Sequence, residues 1–392
     1  MTRLYWLRSL SQFRIWTRCP ADRQRGIQKV RAFLLLSLAG LTACSDPAPV
    51  VHDEAPARLS QWQLFSLTSE ELAPLNDTLV FRPASTLFTD YAQKLRTLWI
   101  PEGMQAAIVA GEIRYPVGTV LSKTFYYPRS ARGNVAKLTD QRAESISLRE
   151  NRIMETRLLV RRSSDWEALP YIWNEEQTEA FLRVAGSSSA LTLSTSGESE
   201  DNAVDFTYFV PNQNQCSGCH QTEPPDGELQ PLGARLEQLA SNFHAGAGVS
   251  QLQAIQDRGW MDHLPTQQPP VDWSDENEEL GDRALAYLNM NCGHCHNPQG
   301  PANTSALILD GSHNSFTELG VCKPPVAAGG GAGSLRYGIV PGDADSSILA
   351  YRMRSQAPDE MMPELGRALI HEEGLDLVSN WIDELDLSPC SN

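Results

Sequence analysis

Two short segments of this 392-residue chain carry residues whose types and spacing suit chemistry. Asn291-Cys292-Gly293-His294-Cys295-His296 and Gln215-Cys216-Ser217-Gly218-Cys219-His220 each contain a C-x-x-C-H sequence. Two thiols three positions apart on one helical turn can add to the two vinyl groups of a haem, and the histidine that follows then sits under the iron as proximal ligand. The pattern predicts two covalently attached haem c groups, one on Cys216, Cys219 and His220 and one on Cys292, Cys295 and His296. Paired thiols also suit a zinc knuckle or a redox dithiol, but the repeat of the full pentad favours haem.

The elements that must position these residues are legible around them. Leu280, Ala284, Tyr287 and Leu288 share one face of a helix that follows the acidic run Asp275 to Glu279 and delivers Cys292. A final helix follows Glu372 and Glu373, with Leu377, Val378, Trp381, Ile382 and Leu385 as its apolar stripe. Between them, Ile339 to Leu349 reads as a turn into a helix capped by Asp345 or Ser346. In the loop Asp359 to Gly366, Met362 directly precedes Pro363. A thioether is a soft, neutral ligand that favours ferrous iron, and proline stiffens the loop beside it. Met362 is thus the expected distal ligand of the second haem, with Met361, or a plain core role for Met362, as the alternatives. For the first haem the leading distal candidate is Met261. His244 and His263 lie nearby in the sequence, while Met104 and Met154 would have to reach from the preceding domain. An open distal position there would admit a substrate or peroxide. His294 is expected at the surface, pointing away from the iron, and His313 and His371 read as ordinary.

From about Trp62 to Pro211 the pattern changes to short period-two runs bounded by Pro, Gly, Asn and Asp. Candidate strands are Lys94 to Ile100, Thr119 to Tyr127, Ile153 to Arg162, Trp166 to Trp173, Glu179 to Ala185, Leu191 to Thr195 and Asp205 to Val210. Both faces of the second are partly apolar, which suggests a sheet covered on both sides. The basic pair Arg161-Arg162 reads as a solvated hairpin tip, with docking or propionate contact as the sharper reading. The fold class is therefore α+β and multidomain: an N-terminal antiparallel β-rich, sandwich-like domain followed by α-helical, cytochrome c-type haem domains. The boundaries fall at 1–43 for a signal peptide, 44–60 for a Pro-rich tether, 61–212 for the β-rich domain, 213–274 for the first haem segment and 275–388 for the C-terminal cytochrome c domain.

The address follows from the N-terminus. Arg23, Arg25, Lys29 and Arg31 precede the apolar run Ala32 to Gly40, too short to span a bilayer and built like a signal peptide. It closes in Leu41-Thr42-Ala43-Cys44, which resembles the lipobox of bacterial lipoproteins and implies a lipid membrane anchor on Cys44. An ordinary secretory cleavage would leave Cys44 free. Ser45 after the cysteine resembles lipoproteins passed to the outer membrane, in a periplasm-facing position. Without residues 1–43 the chain keeps 24 basic and 47 acidic residues, a net charge of −23. That argues against nucleic acid and for a basic redox protein or a small neutral substrate. Cys322 and Cys390 are left over as a candidate disulfide, which in an oxidising compartment would add about 4 kcal/mol on the chain-entropy model.

The segments Pro116-Val117-Gly118-Thr119-Val120, Glu155-Thr156-Arg157-Leu158-Leu159, Trp173-Asn174-Glu175-Glu176-Gln177-Thr178, Pro211-Asn212-Gln213-Asn214-Gln215-Cys216 and Met361-Met362-Pro363-Glu364-Leu365-Gly366-Arg367 together resemble a family of bacterial dihaem c-type cytochromes, usually lipoproteins. Cys292 through Leu385 separately looks like the small cytochrome c domain appended to many larger bacterial proteins. That likeness implies Met362 as iron ligand. The family is commonly encoded beside a parallel β-helix lipoprotein, which implies a partner of that kind, but no reaction comes with the family. The leading expectation is a lipid-anchored periplasmic cytochrome passing electrons between a redox partner and the respiratory chain. The alternatives are a haem-dependent oxidoreductase, peroxidase-like or a dehydrogenase subunit, with catalysis at the first haem, and a β-domain binding module with accessory haems.

Overall fold

Alternation decides the central sheet. In Val120-Leu121-Ser122-Lys123-Thr124-Phe125-Tyr126-Tyr127, successive side chains must point to opposite faces, so Leu121, Lys123, Phe125 and Tyr127 share one and Val120, Ser122, Thr124 and Tyr126 the other. The computed structural model describes residues 48–386 and Cys390, apart from positions 76, 131–132, 139–142, 195–202, 225, 242–249, 266, 313–314 and 327. The signal segment, Cys44, His244 and His313 therefore lie outside the described residues.

The described strands begin with β1 (Phe65–Leu67), β2 (Glu71–Pro74), β3 (Leu79–Val80), β4 (Gln93–Trp99), β5 (Ala107–Val109) and β6 (Glu112–Arg114). They continue with β7 (Val120–Pro128), β8 (Val135–Ala136), β9 (Ile146–Ser147), β10 (Asn151–Arg161) and β11 (Trp166–Trp173). The last are β12 (Ala180–Leu182), β13 (Ser187–Ser194) and β14 (Ala203–Val210). A six-stranded antiparallel sheet runs β12-β11-β10-β7-β4-β3. A second sheet runs β14-β13-β8, with β8 parallel to β13. Leu191, Leu193, Phe206, Tyr208 and Val210 of this second sheet pack on Phe125, Tyr127 and Met154 of the first. The sandwich thus covers part of one face, and the helical part covers more of it.

The opposite face buries Leu95, Val120, Tyr126, Leu158 and Tyr171 with Trp62, whose indole N–H donates to the Tyr171 hydroxyl at 2.7 Å. Here the expected extended tether behaves differently. The Tyr171 hydroxyl donates to the Pro56 carbonyl, Leu182 N–H to the Ala57 carbonyl and Val50 N–H to the Trp62 carbonyl, so residues 50–58 lie against the body. Their prolines remove donors but leave carbonyls for edge groups to find.

The helices are α1 (Gln213–His220), α2 (Leu236–Leu239), α3 (Gln251–Asp257), α4 (Leu280–Leu288), α5 (Ile348–Arg354) and α6 (Glu372–Asp383). Ala284, Leu288, Val378, Trp381 and Ile382 make the core between α4 and α6. The approach is close: a Cβ on Gly374 would lie 2.3 Å from the Tyr287 ring. The N-cap of α5 is Ser347, not Asp345 or Ser346. The Asp343 carboxylate takes both the N–H and the hydroxyl of Ser346 (3.0 and 2.7 Å), which delays the helix by one residue. Cys322 and Cys390 are joined by a disulfide closing 68 residues of chain. Among the described residues, no helix is long and apolar enough to cross a membrane.

Candidate haem sites around one cavity

Helix α1 is built from the capping box Asn212 to Gln215: the Asn212 side chain accepts from Gln215 N–H at 2.8 Å, and the Gln215 side chain accepts from Asn212 N–H at 2.9 Å. Its sequence, QNQCSGCH, has no apolar stripe and no buried residue. Such a helix has little reason to form unless something attached to it supplies the core. The box places Cys216, Cys219 and His220 on the final turns. His220 Nδ1 lies 2.7 Å from the Gln230 carbonyl, which can only accept. Nδ1 therefore carries the proton and Nε2 keeps its lone pair, as a metal-binding imidazole requires. Burial pushes the His220 pKa down to about 4, so the ring is neutral at physiological pH.

The second motif leaves α4 through a π turn, Asn289–Gly293. Asn291, 3 % exposed, fixes that turn by donating to the Tyr287 carbonyl and accepting from Phe88 N–H. At Gly293 a Cβ would sit 2.7 Å from the Asp310 Cα, so only glycine fits at that position. His296 Nδ1 lies 3.0 Å from the Ser305 hydroxyl. That hydroxyl donates to the Ala302 carbonyl, so it accepts from the ring and again leaves Nε2 free.

One cavity is lined by Cys216, Cys219 and His220 of the first motif, Cys292 and His294 of the second, and Met362 and Pro363 of the loop. His296 is not among its walls. The two motifs touch: ligand atoms of Cys219, His294 and Cys295 lie within 4.8 Å of one another. The Cys295 thiol also points at the Gly218 carbonyl (3.4 Å). This corrects the expected surface placement of His294. Its ring faces the other motif, with a buried Nδ1 that has no hydrogen-bond partner. His371 is not ordinary either: it stacks on Phe88 at 4.2 Å and meets the Tyr287 hydroxyl at 3.0 Å, joining the sheet side to α4. Met261 is 2 % exposed, packed in the core with Leu252, Ile255 and Trp260, and does not line the cavity. The apolar core thus claims the residue expected as distal ligand of the first haem. Met104 and His263 are exposed and Met154 is buried between the sheets; none of them lines the cavity. Met290 and Met353 do, and nothing in their sequence context had singled them out.

The Met362 loop is held by two buried charges. Arg367 donates to the carbonyls of Met362, Leu369, Arg352 and Ser355. Asp90, in the left-handed region at φ 48°, accepts from Ala368 and Leu369 N–H at 2.7 Å each. Burial pushes the Asp90 pKa up to about 6, against an ordinary 3.8. Between those values the folded chain keeps the proton that the unfolded chain releases. Asp90's contribution to stability therefore falls as pH rises through that window, by up to about 3 kcal/mol. Asp90→Asn keeps the acceptor without the charge. It is expected to stay within about 1 kcal/mol of the parent at pH 4, where Asp90 is protonated, and to gain on it by up to about 3 kcal/mol by pH 7, whereas Asp90→Ala orphans two N–H groups and costs about 2–3 kcal/mol at pH 4. Urea unfolding at pH 4 and pH 7 measures both; equal losses in the two variants would refute this account of Asp90.

The remaining walls are apolar, with Leu121, Phe125, Leu159 and Leu232, but carry cations as well. Burial pushes Lys123 down to about 7 and Arg96 to about 9, while Glu155 holds Arg157 charged through bonds of 2.6 and 2.7 Å. The basic pair Arg161-Arg162 lies elsewhere, with Arg162 on Glu167 at 2.7 Å and Arg161 near Glu228 at 3.9 Å.

The donor set fits haem c most fully at the first motif, where both thiols and the histidine open into the cavity. At the second motif, Cys292 and Met362 reach the cavity and His296 has the correct free nitrogen. A redox dithiol needs a lowered thiol pKa. At the second motif burial pushes Cys292 to about 12 and the Cys219 thiol beside it pushes Cys295 up. At the first, burial raises Cys216 and the hydrogen bond from Cys295 pulls Cys219 well below the ordinary thiol range, so the thiol chemistry argues against a dithiol at the second motif alone. No protein-family model, curated protein or solved structure matches this chain.

Proposed function

We propose that this chain is a dihaem c-type cytochrome of the cell envelope, anchored through Cys44, that passes electrons between a redox partner and the respiratory chain. The observation that carries the reading is the meeting of two C-x-x-C-H segments, each histidine held through Nδ1, with Cys219 and Cys295 in one cluster. The haem iron, when bound, supplies a one-electron couple. The chain's residues do the rest. The four thiols would hold the two groups, His220 and His296 leave Nε2 free for iron, and at the first motif the apolar walls of the cavity exclude water. The family resemblance carried by the Pro211 to Cys216 and Met361 to Arg367 segments points the same way. A net charge of −16 over the whole chain suits a basic protein partner, with docking that weakens as salt rises.

A second reading, catalysis at the first haem, draws support from Met261 lying outside the cavity, which removes the leading distal ligand there. The test is covalent haem content together with ferric spectra of the full chain, matured in a host that attaches haem c. Two haems per chain, both low-spin, support the carrier. One high-spin haem that binds cyanide supports the oxidoreductase. Zinc in place of haem, on Cys219, His294 and Cys295, overturns both.

A further inference from the structure

Strand register places three cations in a row. Arg96 of β4 is directly opposite Lys123 of β7, and Lys123 is directly opposite Arg157 of β10. All three line the cavity into which Cys216, Cys219 and His220 open. Like charges opposite one another on adjacent strands repel, and burial sharpens the cost because water no longer screens them. The local acid does not balance the row. Glu155, with no exposure, is taken by the bidentate bond from Arg157 and by the Tyr208 hydroxyl at 2.7 Å. Asp90 is occupied with the backbone at Ala368 and Leu369. The contact of Lys123 with a ring is to Phe125 at 5.0 Å, and neither Lys123 nor Arg96 has a carboxylate partner among the described residues. Two cations without counter-ions, beside a third already paired, call for a ligand with two negative groups.

We propose that Arg96, Lys123 and Arg157 form a carboxylate-binding wall for the first haem site, with Arg96 and Lys123 neutralising a pair of carboxylates. Guanidinium offers the flat two-pronged donor that carboxylate fits, and ammonium adds a mobile point charge beside it. The carboxylates of first choice are the two propionates of the haem held on Cys216 and Cys219; the same chemistry would hold a free dicarboxylate. Naming propionates rests on the haem reading, whereas the wall itself rests on strand register and unbalanced charge.

The test compares the full chain with Lys123→Met, Arg96→Leu and the double variant, after haem content has been counted. With propionates on the wall, each single change lowers the potential of one haem by about tenfold in its one-electron equilibrium, ~59 mV, and leaves the other haem in place. Succinate then changes nothing in the unaltered chain. With a free dicarboxylate on the wall, succinate shifts the spectrum of one haem saturably, and Lys123→Met weakens it at least tenfold. Chain made without haem attachment separates the wall from the haem reading. There the uncompensated charge is a pure cost, so Lys123→Met should melt higher than the parent, and succinate should raise the parent's melting temperature but not the variant's. A haem-free chain with that behaviour sinks the cytochrome and keeps the wall. Unchanged potentials together with no succinate effect, or a haem-free Lys123→Met that melts lower than its parent, overturn the wall.

Discussion

A chain with Cys292 and Cys295 both changed to alanine, matured in a host that attaches haem c, is expected to carry one covalent haem, and the unaltered chain two. Two considerations make the loss one of ligand and not of fold. Cys292 makes no hydrogen bond among the described residues, and Cys295 gives up only weak thiol bonds, to the Gly218 carbonyl and to the Cys219 thiol, each worth about 1 kcal/mol or less. The elements around them rest on other contacts: the α4 and α6 core, the Asn291 bonds and the Cys322–Cys390 disulfide. The haem on Cys216 and Cys219 should remain, because the Asn212–Gln215 capping box and the bond from His220 to Gln230 involve no residue of the second motif. Its spectrum should nevertheless change, since Cys219 and His294 would face alanine in place of a haem-bound sulfur. Acid extraction followed by haem quantification reads the stoichiometry, and electron paramagnetic resonance reads any loss of magnetic interaction. Two covalent haems in the variant would sink the assignment of the second motif. The reciprocal Cys216→Ala, Cys219→Ala chain is the harder case for folding, because α1 has no apolar face of its own.

Much of this scaffold was legible in the residues, for identifiable reasons. β11 runs from Trp166 to Trp173 as the alternation and the flanking turns indicate, and β4, β7 and β10 lie within two residues of the expected ends. Helices α4 and α6 declared themselves through Leu280, Ala284, Tyr287 and Leu288 and through Leu377, Val378, Trp381 and Ile382, which recur at helical spacing and face one another. β13 begins at Ser187, four residues before Leu191, because Ser187-Ser188-Ser189 has turn-like composition and is a strand through its pairing with β14. What a single sequence could not display is anything made by register or by folding back. Arg96, Lys123 and Arg157 each look like one polar position in an alternating strand, and only cross-strand pairing turns them into a row. The meeting of Cys219 with His294 and Cys295 brings together residues more than seventy positions apart, so His294 read as a surface residue. Met290 and Met353 reach the cavity from elements whose other residues are ordinary core, a pattern with no sequence signal distinct from packing.

Those extra methionines make the Met362→Ala result the most informative about the iron. Three methionine side chains line the cavity, Met290, Met353 and Met362, and only the last lies on a loop held independently of its own side chain. Arg367 grips the backbone on both sides of it through four carbonyls, and Asp90 pins Ala368 and Leu369. Truncation at Met362 should therefore remove a sulfur while the loop stays in place. Met353, 7 % exposed, is packed in the α4–α6 core, and Met290, 6 % exposed, lies within the π turn, so moving either toward iron would disturb packing around it. The expected result is loss of the sulfur-to-iron band of one low-spin haem and a fall of its potential by ~100 mV or more, because thioether ligation favours ferrous iron. Arg367→Lys, which retains one positive charge but cannot reach four carbonyls, should weaken the same band and lower the same potential by less. Repeating Met362→Ala in the Cys292→Ala, Cys295→Ala chain decides which haem the methionine serves. If the remaining haem on Cys216 and Cys219 is unaffected, Met362 belongs to the second site. If that haem loses its band, the loop spans to the first, which its contact between Leu365 and the Gly218 position of α1 would permit. A spectrum and potential unchanged in every one of these chains would remove Met362 as a ligand and leave Met290 and Met353 as the sulfurs to test.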